Sequence, residues 1–374
     1  MKHIHKKQGY VGIMVSEKPG TPPFASQSFY SRLCRIGHKL GIVVFVFFPE
    51  RLRLTEPSVD GYTYGPEEGE WRAGTFPLPR VIYDRCFFGD KASYKRYRDC
   101  LHRLEQHPDI RLLGHGLRGK WQVHQMLMRH EPLRAHLPPT KRLVGWNALQ
   151  AELNRLGEVF LKPEAGSKGK GVLRVSHTED GYRVSGRTRD NEIIRKSFPS
   201  ESGFRQWLTA FTGGRPYLIQ PYLQLNARNG DPFDVRCLVQ KNRKGVWTVT
   251  GTAVRRGQRG GVTSNLHGGG IAEDLDPFLR QEFGARQAEH ILGTLQHIAI
   301  QIPAVLEQHH GRLAELGIDL GIDASGTVWI LEANSKPGRS AFDRLSDPTS
   351  KLASVRNPIL YARYLLDTTR RVIS

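Results

Sequence analysis

The chain has 374 residues, of which 39% are hydrophobic and 9% aromatic, so an intrinsically disordered protein is excluded and several packed units are expected. The chain has 55 Lys and Arg against 36 Asp and Glu, a net charge of +19. This charge predicts polyanionic partners; the alternative is a generally basic surface with no specific partner. No apolar run reaches the roughly 18 residues of a membrane-spanning helix, and no signal peptide is expected. The four cysteines are scattered along the sequence, which predicts reduced thiols rather than zinc ligands or disulfides.

The first third of the chain alternates strands and helices, which predicts a parallel α/β sheet. The predicted elements are strands at 10–16, 42–48 and 80–85, helices at 26–41 and 91–107, and a loop or hairpin at 51–79 that is rich in Pro, Gly and Glu. No G-x-G-x-x-G follows the first strand, so a dinucleotide-binding fold is disfavoured.

From about Gly114 onward, helices are mixed with strands that read as antiparallel, which predicts an α+β arrangement. Helices are expected at 119–130, 146–156, 201–211, 288–308 and 357–368. Strands are expected at 158–164, 172–178, 182–187, 233–241, 246–256, 316–323 and 327–334, and one at 216–225 that ends or bends at its proline.

The segment "FLKPEAGSKGKGV" at 160–172 predicts a strand, a glycine loop and a second strand. It is not a Walker A loop, because Lys170 is followed by Gly171 and the next element is a strand. The loop is either a solvated basic turn or a lid over phosphates, for which Lys162, Lys168 and Lys170 would supply positive charge.

The segment "GIDLGIDASGTVWILEANSKPGRS" at 317–340 predicts two strands that carry oxygen ligands. Glu332 and Asn334 are two residues apart, so their side chains share one face, and Asp319 on the paired strand would complete a cluster suited to Mg²⁺. The alternative is a hairpin with a polar outer face. Asp323 is a further candidate ligand, although the "DASG" turn favours a role at the start of that turn.

The segment "FDVRCLVQ" places Asp234 and Arg236 on one face of a strand. Arg255 and Arg256 end the next strand, so one of them must point to the same face. Arginines there would stabilise charge on a transferring phosphoryl group, and Asn265 with the glycines after it would approach an acyl phosphate. The alternative is a set of surface arginines paired with carboxylates.

The three motifs together fit phosphoryl transfer from ATP better than any one of them, and their order resembles the ATP-grasp superfamily. The segments that carry the resemblance are "GKWQVHQML" with "LPPT" (119–140), "VFLKPEAGSKGKGV" (159–172), "LIQPYL" (218–223), "FDVRCLV" (233–239), "SNLHGGG" (264–270) and "DLGID…WILEANSKPG" (319–338). The last three resemble the ribosomal-protein-glutamate-ligase branch. With "VGIMV" (11–15), nearly the whole chain is similar to the YheC/YheD family, ATP-grasp proteins of spore-forming bacteria described as endospore coat-associated.

The resemblance implies a role for each matching residue. ATP would be bound by Lys120, Lys162, Ser167, Lys168, Gly169, Lys170, Gly171, Gln220, Tyr222 and Leu223. Magnesium (or manganese) would be held by Asp319, Glu332 and Asn334, and the reacting acyl phosphate would be flanked by Arg236, Arg255 and Asn265. The implied fold is α/β plus α+β: a pre-ATP-grasp domain at 1–114, then two lobes at 115–222 and 223–374 that clamp ATP.

The implied function is ATP- and Mg²⁺-dependent carboxylate–amine ligation through an acyl phosphate, on an amino acid, a peptide or an acidic polymer. The alternative is a spore-coat component that binds nucleotide without turnover, and nucleic-acid binding by the basic first domain is a third hypothesis. The expected location is the cytoplasm, or an association with spore-coat proteins. Neither substrate nor the oligomeric state is predicted.

Overall fold

The structure is a computed structural model that describes residues 9–88, 90–114, 116–166, 169–258, 261, 264 and 270–371. The strands are β1 Gly9–Met14, β2 Ile42–Phe47, β3 Ser58–Gly65, β4 Glu70–Pro77, β5 Val81–Asp84, β6 Arg111–Leu112, β7 Lys141–Arg142, β8 Glu158–Pro163, β9 Leu173–Thr178, β10 Gly181–Arg187, β11 Ile193–Phe198, β12 Tyr217–Pro221, β13 Phe233–Lys241, β14 Trp247–Arg256, β15 Ile271–Glu273, β16 Glu315–Ile322 and β17 Val328–Asn334. The helices are α1 Gln27–Lys39, α2 Lys91–Gln106, α3 Lys120–Met128, α4 Glu131–Arg134, α5 Trp146–Leu156, α6 Glu201–Thr212, α7 Leu275–Phe283, α8 Ala285–His310 and α9 Pro348–Arg371.

The N-terminal lobe, β1–β6 with α1 and α2, is built on a sheet of order β4-β3-β2-β1-β5-β6. Strand β1 pairs in parallel with β2 and β5, as the alternation of strands and helices predicts. The segment predicted as a loop or hairpin forms the antiparallel pair β3–β4 at the edge of this sheet.

The middle lobe, β7–β12 with α5 and α6, has an antiparallel sheet of order β11-β10-β9-β8-β12-β7. Strand β12 ends at Pro221, where the sequence predicts an end or bend. Strand β11 was not predicted from the sequence. It lies at the sheet edge, and its Ile193 is 65% exposed. Its sequence therefore lacks the alternation of apolar and polar residues by which a half-buried strand is predicted.

The C-terminal lobe, β13–β17 with α7 and α8, has an antiparallel sheet of order β15-β14-β13-β16-β17. Every residue of β16 is buried, and the predicted helix at 288–308 is confirmed as α8, whose apolar face covers this sheet. Each Ile or Leu that α8 buries stabilises the lobe by about 1.5–3 kcal/mol. Helix α3 also packs on α8, which brings Lys120 to the edge of the C-terminal lobe.

The last helix begins earlier than the sequence pattern predicts. The prediction starts at about residue 357, whereas α9 begins at Pro348 and continues through Pro358. Asp347 accepts hydrogen bonds from the backbone N–H groups of Thr349 and Ser350, which satisfies the free donors of the first turn. Residues of α9 are buried against the core of the N-terminal lobe. None of the described helices combines the length and apolarity needed to cross a membrane.

Candidate functional site

A cleft of about 2100 Å³ opens between the three lobes. Its walls come from the glycine loop with β8 and β12, from α3, from β13, β16 and β17, and from α2 with the segment after β5. Polar residues of all three predicted motifs line this one cleft. The structure therefore brings together side chains from Lys120 to Asn334 that are more than 200 positions apart.

Two lysines from different elements converge on one end of β17. Lys120 Nζ lies 3.5 Å from Glu332 Oε1 and donates a hydrogen bond to the Gly166 carbonyl over 2.5 Å. Lys162 Nζ donates to the Leu331 carbonyl over 3.2 Å. Lys162 projects from β8, so the middle lobe is joined to the C-terminal lobe at the point where the carboxylate of Glu332 enters the cleft.

The environment of Lys162 disfavours its charged form. Burial lowers the pKa of Lys162 to about 8, an effect that the negative charge of Glu332 opposes and the positive charge of Lys120 adds to. Burial also lowers the pKa of the nearby His124 to about 4, with a smaller contribution from the charge of Lys162. An anionic ligand bound between Lys120 and Lys162 would stabilise both ammonium groups and so offset the cost of burying the charge of Lys162.

The glycine loop lies against the beginning of α3. The backbone N–H of Lys120 donates to the Glu164 carbonyl over 3.2 Å, and Gly169 and Gly171 have positive φ angles of 68° and 71° that favour glycine. The exposed Lys170 lines the cleft. The predicted ligands Ser167 and Lys168 lie outside the described residues, so their contribution stays a prediction.

The predicted adenine-binding strand also lines the cleft. Gln220 is buried and its Nε2 donates to Thr140 Oγ1 over 2.7 Å, while Tyr222 and Leu223 follow at the cleft wall. The guanidinium of Arg174 lies 4.2 Å from the ring centroid of Tyr222. Thr140, at the end of the "LPPT" segment, fixes the amide of Gln220 and was not assigned a role from the sequence.

The sequence left open whether Arg255 or Arg256 faces the cleft, and the strand register answers this question. Arg255 pairs directly with Asp234 across β13 and β14 and is buried, with its Nε and Nη2 each 2.6 Å from an oxygen of that carboxylate. Arg256 points to the other face, where its Nε lies 3.0 Å from Glu273 Oε1. Arg255 is therefore the arginine that reaches the cleft.

Asp319 lies between two arginines. Its carboxylate accepts hydrogen bonds from Arg236 Nε over 2.5 Å and from Arg236 Nη2 over 3.1 Å, and lies 3.0 Å from Arg255 Nη2. Burial alone would raise the pKa of Asp319, but the charges of Arg236 and Arg255 lower it below its usual value. Both arginines bind the carboxylates through Nε and Nη2, so within the described part of the chain Nη1 is the donor group of each that remains for an anion.

The residues expected to bind magnesium fit an oxygen-ligated ion only in part. Glu332 and Asn334 lie on one face of β17 and both line the cleft, and carboxylate and amide oxygens are ligands that Mg²⁺ accepts. Asp319 faces Glu332 in the strand register, but its oxygens already accept from two arginines. Among the described residues, no group of three or more His, Cys, Asp or Glu side chains could hold a metal, so phosphate oxygens or water molecules would complete the coordination.

Asp323 does not line the cleft. Its Oδ1 accepts from the backbone N–H groups of Ser325 and Thr327, and its Oδ2 accepts from Trp329 Nε1 over 2.8 Å. Asp323 therefore holds the turn between β16 and β17, the role that the "DASG" sequence favours. Asn265 lies outside the described residues, so its contact with the reacting group stays a prediction.

A buried ion-pair network joins the N-terminal lobe to the C-terminal lobe behind the cleft. Glu315 is 2% exposed and accepts from Tyr83 Oη over 2.5 Å, from Arg85 Nη1 over 3.1 Å, from Gln240 Nε2 over 2.9 Å and from Arg339. None of these residues was assigned a role from the sequence. The only sign of them in the sequence is a charged residue at the end of an apolar strand, and this pattern does not predict which residue it pairs with.

A second contact between these lobes involves the segment after β17. Lys336 Nζ lies 2.7 Å from Asp84 Oδ2 and donates to the Cys86 carbonyl over 3.0 Å. Asp84 also accepts from Tyr97 Oη over 2.5 Å. The segment that carries Lys336 thus closes the end of the cleft against the N-terminal lobe.

Comparisons with known proteins agree with this geometry. Residues 109–365 match the sequence family described as "YheC/D like ATP-grasp". The chain is 28% identical over 337 residues to the endospore coat-associated protein YheC of Bacillus subtilis (strain 168), covering 90% of this chain and 92% of that protein. It is 29% identical over 358 residues to the endospore coat-associated protein YheD of the same organism, covering 92% of this chain and 75% of that protein.

A solved structure shares the fold at low sequence identity. A RiPP-associated ATP-grasp ligase of Chryseobacterium gregarium, in complex with ADP and a leader and core peptide, aligns with a TM-score of 0.50 and 12% identity. The alignment covers 96% of this chain and 97% of that structure. The predicted arrangement of an α/β domain followed by two α+β lobes is therefore an ATP-grasp fold.

Proposed function

This chain belongs to the YheC/D-like ATP-grasp family, as its motifs predict, and we propose from that membership and the geometry of the cleft that it is an ATP- and Mg²⁺-dependent carboxylate–amine ligase. The convergence of Lys120 and Lys162 on the cleft end of β17 carries the proposal. Two lysines from separate elements form a costly arrangement, because burial lowers the pKa of Lys162 despite the nearby carboxylate of Glu332. A triphosphate bound between the two lysines would supply further negative charge.

The reaction would proceed in two displacements. A carboxylate oxygen of the first substrate attacks the γ-phosphorus of ATP, the bond to the β-phosphate oxygen breaks, and an acyl phosphate and ADP form. An amine of the second substrate then attacks the acyl carbon, phosphate leaves with the electron pair of the broken C–O bond, and the amine nitrogen loses a proton. The product is an amide.

Fixed hydrogen-bond donors would stabilise the negative charge on the transferring phosphoryl group. Arg236 and Arg255 are held by Asp319 and Asp234, so the N–H groups that remain free on each guanidinium have a fixed direction. Donors that are fixed before the reaction stabilise developing charge without reorganisation in the transition state. Lys120, Lys162, Lys170 and the backbone of the glycine loop would hold the phosphates of ATP.

Glu332 and Asn334 would hold Mg²⁺, and Asp319 would join them through a lone pair of Oδ1 that the hydrogen bond from Arg236 leaves free, so that both arginines stay in place. Bound there, the ion would neutralise phosphate charge. The adenine would bind at Gln220 and at the backbone of Tyr222 and Leu223. Ser167, Lys168 and Asn265 are proposed to contribute as the family resemblance implies.

The proposed substrates are an amino acid, a peptide or an acidic polymer, and the proposed setting is sporulation. Both relatives named above are endospore coat-associated proteins, which supports a spore-related role. The same names support a second candidate, a coat component that binds nucleotide without turnover. The proposed location is the cytoplasm, or an association with the spore coat.

The test is phosphate release from ATP and Mg²⁺, with and without pooled amino acids and short acidic peptides. Wild type is compared with Lys162→Ala and with Lys244→Ala, a matched control because Lys244 lies in the β13–β14 turn and does not line the cleft. Substrate-stimulated release that only Lys162→Ala abolishes supports the ligase. ATP binding without release across the whole pool would instead support the coat component.

A further inference from the structure

Two large aromatic side chains are exposed on the wall of the cleft that the N-terminal lobe provides. Phe87 follows β5 and is 54% exposed, and Tyr94 on α2 is 50% exposed. Both line the same cleft as Lys120 and Lys162. Exposed aromatic rings inside a cleft leave apolar area in contact with water, which is a feature of surfaces that bind a partner.

The structure holds the backbone of Phe87 and the ring of Tyr94 in place. Ser16 Oγ donates to the Phe87 carbonyl over 2.7 Å and accepts from the Phe87 N–H over 2.9 Å, so the backbone of Phe87 is fixed from the end of β1. Tyr94 packs against Phe88 and Tyr97, with ring centroids 6.4 and 6.1 Å apart. Binding a ligand there would cost little conformational entropy, because the contact surface is already ordered.

Cationic side chains accompany the two rings. Lys91, Tyr94 and Arg98 follow the spacing i, i+3 and i+7 of one helix face, and all three are exposed and line the cleft. Among the described residues, neither Lys91 nor Arg98 forms an ion pair. Lys91 is thus available to an anionic ligand, and Arg98 is available beside the Tyr94 hydroxyl, with which it interacts.

Acidic residues also lie on this wall, and their positions limit the cationic part to the first half of α2. Asp90 accepts from the Ser93 backbone N–H over 2.8 Å as the N-cap of α2. Asp99 lies beside Arg98, and Glu105 lies two turns further along the helix, where its negative charge adds to the hydrogen bond with Tyr94 in raising the pKa of Arg98. The end of the wall next to Phe87 therefore combines aromatic and cationic side chains with one carboxylate, Asp90, which is engaged as the N-cap.

The wall lies within reach of the phosphate end of the cleft. Lys162 contacts the Leu331 carbonyl, and Lys336, five residues later, contacts the carbonyl of Cys86, which precedes Phe87. Five residues span at most about 17 Å. The cleft volume of about 2100 Å³ is also roughly twice the upper end of the range for a site that holds one small ligand, so it leaves room for a second ligand beside ATP. A ligand that contacts both Phe87 and the phosphate end has to be extended, as a peptide is.

We propose that Phe87, Lys91, Tyr94 and Arg98 form a subsite for an acidic peptide, whose carboxylate is presented to Arg236 for activation. This inference rests on the proposed ligase function and narrows its substrate to a peptide. The rings would cover the peptide backbone and apolar side-chain atoms, and the two cations would pair with glutamate or aspartate side chains.

The test measures binding and turnover separately. A fluorescein-labelled hexapeptide, Gly-Glu-Gly-Glu-Tyr-Glu, is titrated by fluorescence anisotropy in the presence of Mg²⁺ and a non-hydrolysable ATP analogue, beside its glutamine counterpart and a single-stranded oligonucleotide. The variants are Phe87→Ala/Arg98→Ala and Arg103→Ala. Arg103 is a matched control because it lies exposed on the same helix but does not line the cleft. The ATP-dependent rise in Tm reports the nucleotide site of each variant independently.

The expected result is a Kd for the acidic peptide that the double variant weakens at least tenfold and that Arg103→Ala leaves within twofold, with weaker binding of the glutamine peptide. Equal binding of both peptides, no peptide binding at millimolar concentration, or oligonucleotide binding that alone depends on Phe87 and Arg98 would overturn the subsite. Peptide binding without phosphate release would count against the ligase but not the subsite. Release stimulated by free amino acids and unaffected by the double variant would count against the subsite but not the ligase.

Discussion

Lys162 of the middle lobe donates a hydrogen bond from Nζ to the Leu331 carbonyl of the C-terminal lobe over 3.2 Å. Leu331 precedes Glu332 on β17, so this bond places an ammonium group beside a carboxylate at the junction of two lobes. The bond does not compensate fully for burial, because the pKa of Lys162 is still lowered to about 8. Lys162, which we propose as a phosphate ligand, is therefore also a source of instability in the protein without bound nucleotide.

Replacing Lys162 with Met should stabilise the ligand-free protein while removing nucleotide binding. The folded-state pKa of about 8 lies below the ordinary value of 10.5, so at pH 7 the charged form is buried at a cost that Met avoids. We expect a gain of about 1–2 kcal/mol, less than the full pKa difference implies, because the head group is partly open to the cleft. Urea denaturation at pH 7 and pH 10 checks this: the gain should shrink at pH 10, where Lys162 is neutral in the folded state. A variant less stable than wild type at pH 7 would show that the bond to Leu331 outweighs the burial cost.

The affinity for ATP should fall as pH rises above about 8. A triphosphate binds the protonated form of Lys162, and free protein loses that proton near pH 8. Calorimetric titrations between pH 7 and 9.5 should show proton uptake on binding and a Kd that rises up to tenfold per pH unit at the upper end. Lys162→Arg is the control, since a guanidinium stays charged throughout this range and should abolish the pH dependence. A wild-type Kd that is constant up to pH 9.5 would contradict the assignment of Lys162 to the phosphates.

Replacing Glu332 with Gln should abolish Mg²⁺-dependent ATP turnover and leave the fold intact. The change removes the anionic ligand proposed for the metal but keeps the size of the side chain, so the fold should tolerate the lost contact with Lys120. We expect phosphate release to fall at least a hundredfold with an unchanged circular dichroism spectrum. The control is Asp323→Asn on the same hairpin, which loses hydrogen bonds of the turn but should keep its turnover within twofold well below its Tm. A fully active Glu332→Gln variant would remove the proposed metal site.

Replacing Arg236 with Lys should lower kcat more than it raises the KM for ATP. A guanidinium can bind Asp319 through Nε and Nη2 and still present Nη1 to the cleft, which a single ammonium cannot do. Removal of one fixed donor to a developing charge costs about 10²–10³ in kcat in other enzymes, and a similar loss is expected here. Arg256→Lys is the matched control, because Arg256 ends β14 but pairs with Glu273 away from the cleft. Equal losses in both variants would indicate a structural effect rather than a role in the reaction.

The local patterns of the sequence predicted most strands and helices, and the spacing of Glu332 and Asn334 predicted their shared face. The pairing of Arg255 with Asp234 could not be predicted, because it depends on the register between β13 and β14, which shifts at Leu238/Val239. The engagement of Asp319 by two arginines has the same origin, since those residues lie on three different strands.

The contacts between lobes were the least predictable feature. Glu315 and Arg85 are 230 positions apart in the sequence. The spacing of apolar residues within one helix or strand cannot predict a contact between residues so far apart. Strand β11 and the beginning of α9 were missed for a different reason. An exposed edge strand shows little burial pattern, and the start of α9 depends on a cap at Asp347 rather than on apolar spacing.

The network around Glu315 leads to the last prediction, which concerns stability. Burial alone would raise the pKa of Glu315, but Arg339 and Arg85 lower it below its usual value, so the carboxylate is charged and paired. Glu315→Gln keeps the size of the side chain but leaves two buried guanidinium groups without a counter-charge. Removal of one member of a buried ion pair costs about 3–5 kcal/mol, and we expect a loss of unfolding free energy in that range at pH 7.

The dependence on pH distinguishes this charge effect from a loss of packing. Because the folded-state pKa of Glu315 is lowered, its stabilisation is present above the ordinary carboxyl pKa of 4.5 and is lost as pH falls through the lower folded-state value. The difference between wild type and Glu315→Gln, measured by urea denaturation, should therefore be constant from pH 8 to about 5 and decrease below that. Asp367→Asn, which breaks an exposed pair with Arg363, is the control and should cost less than about 1 kcal/mol. A Glu315→Gln loss as small as that of the control would mean that Tyr83 and Gln240, not the two arginines, hold this side chain in place.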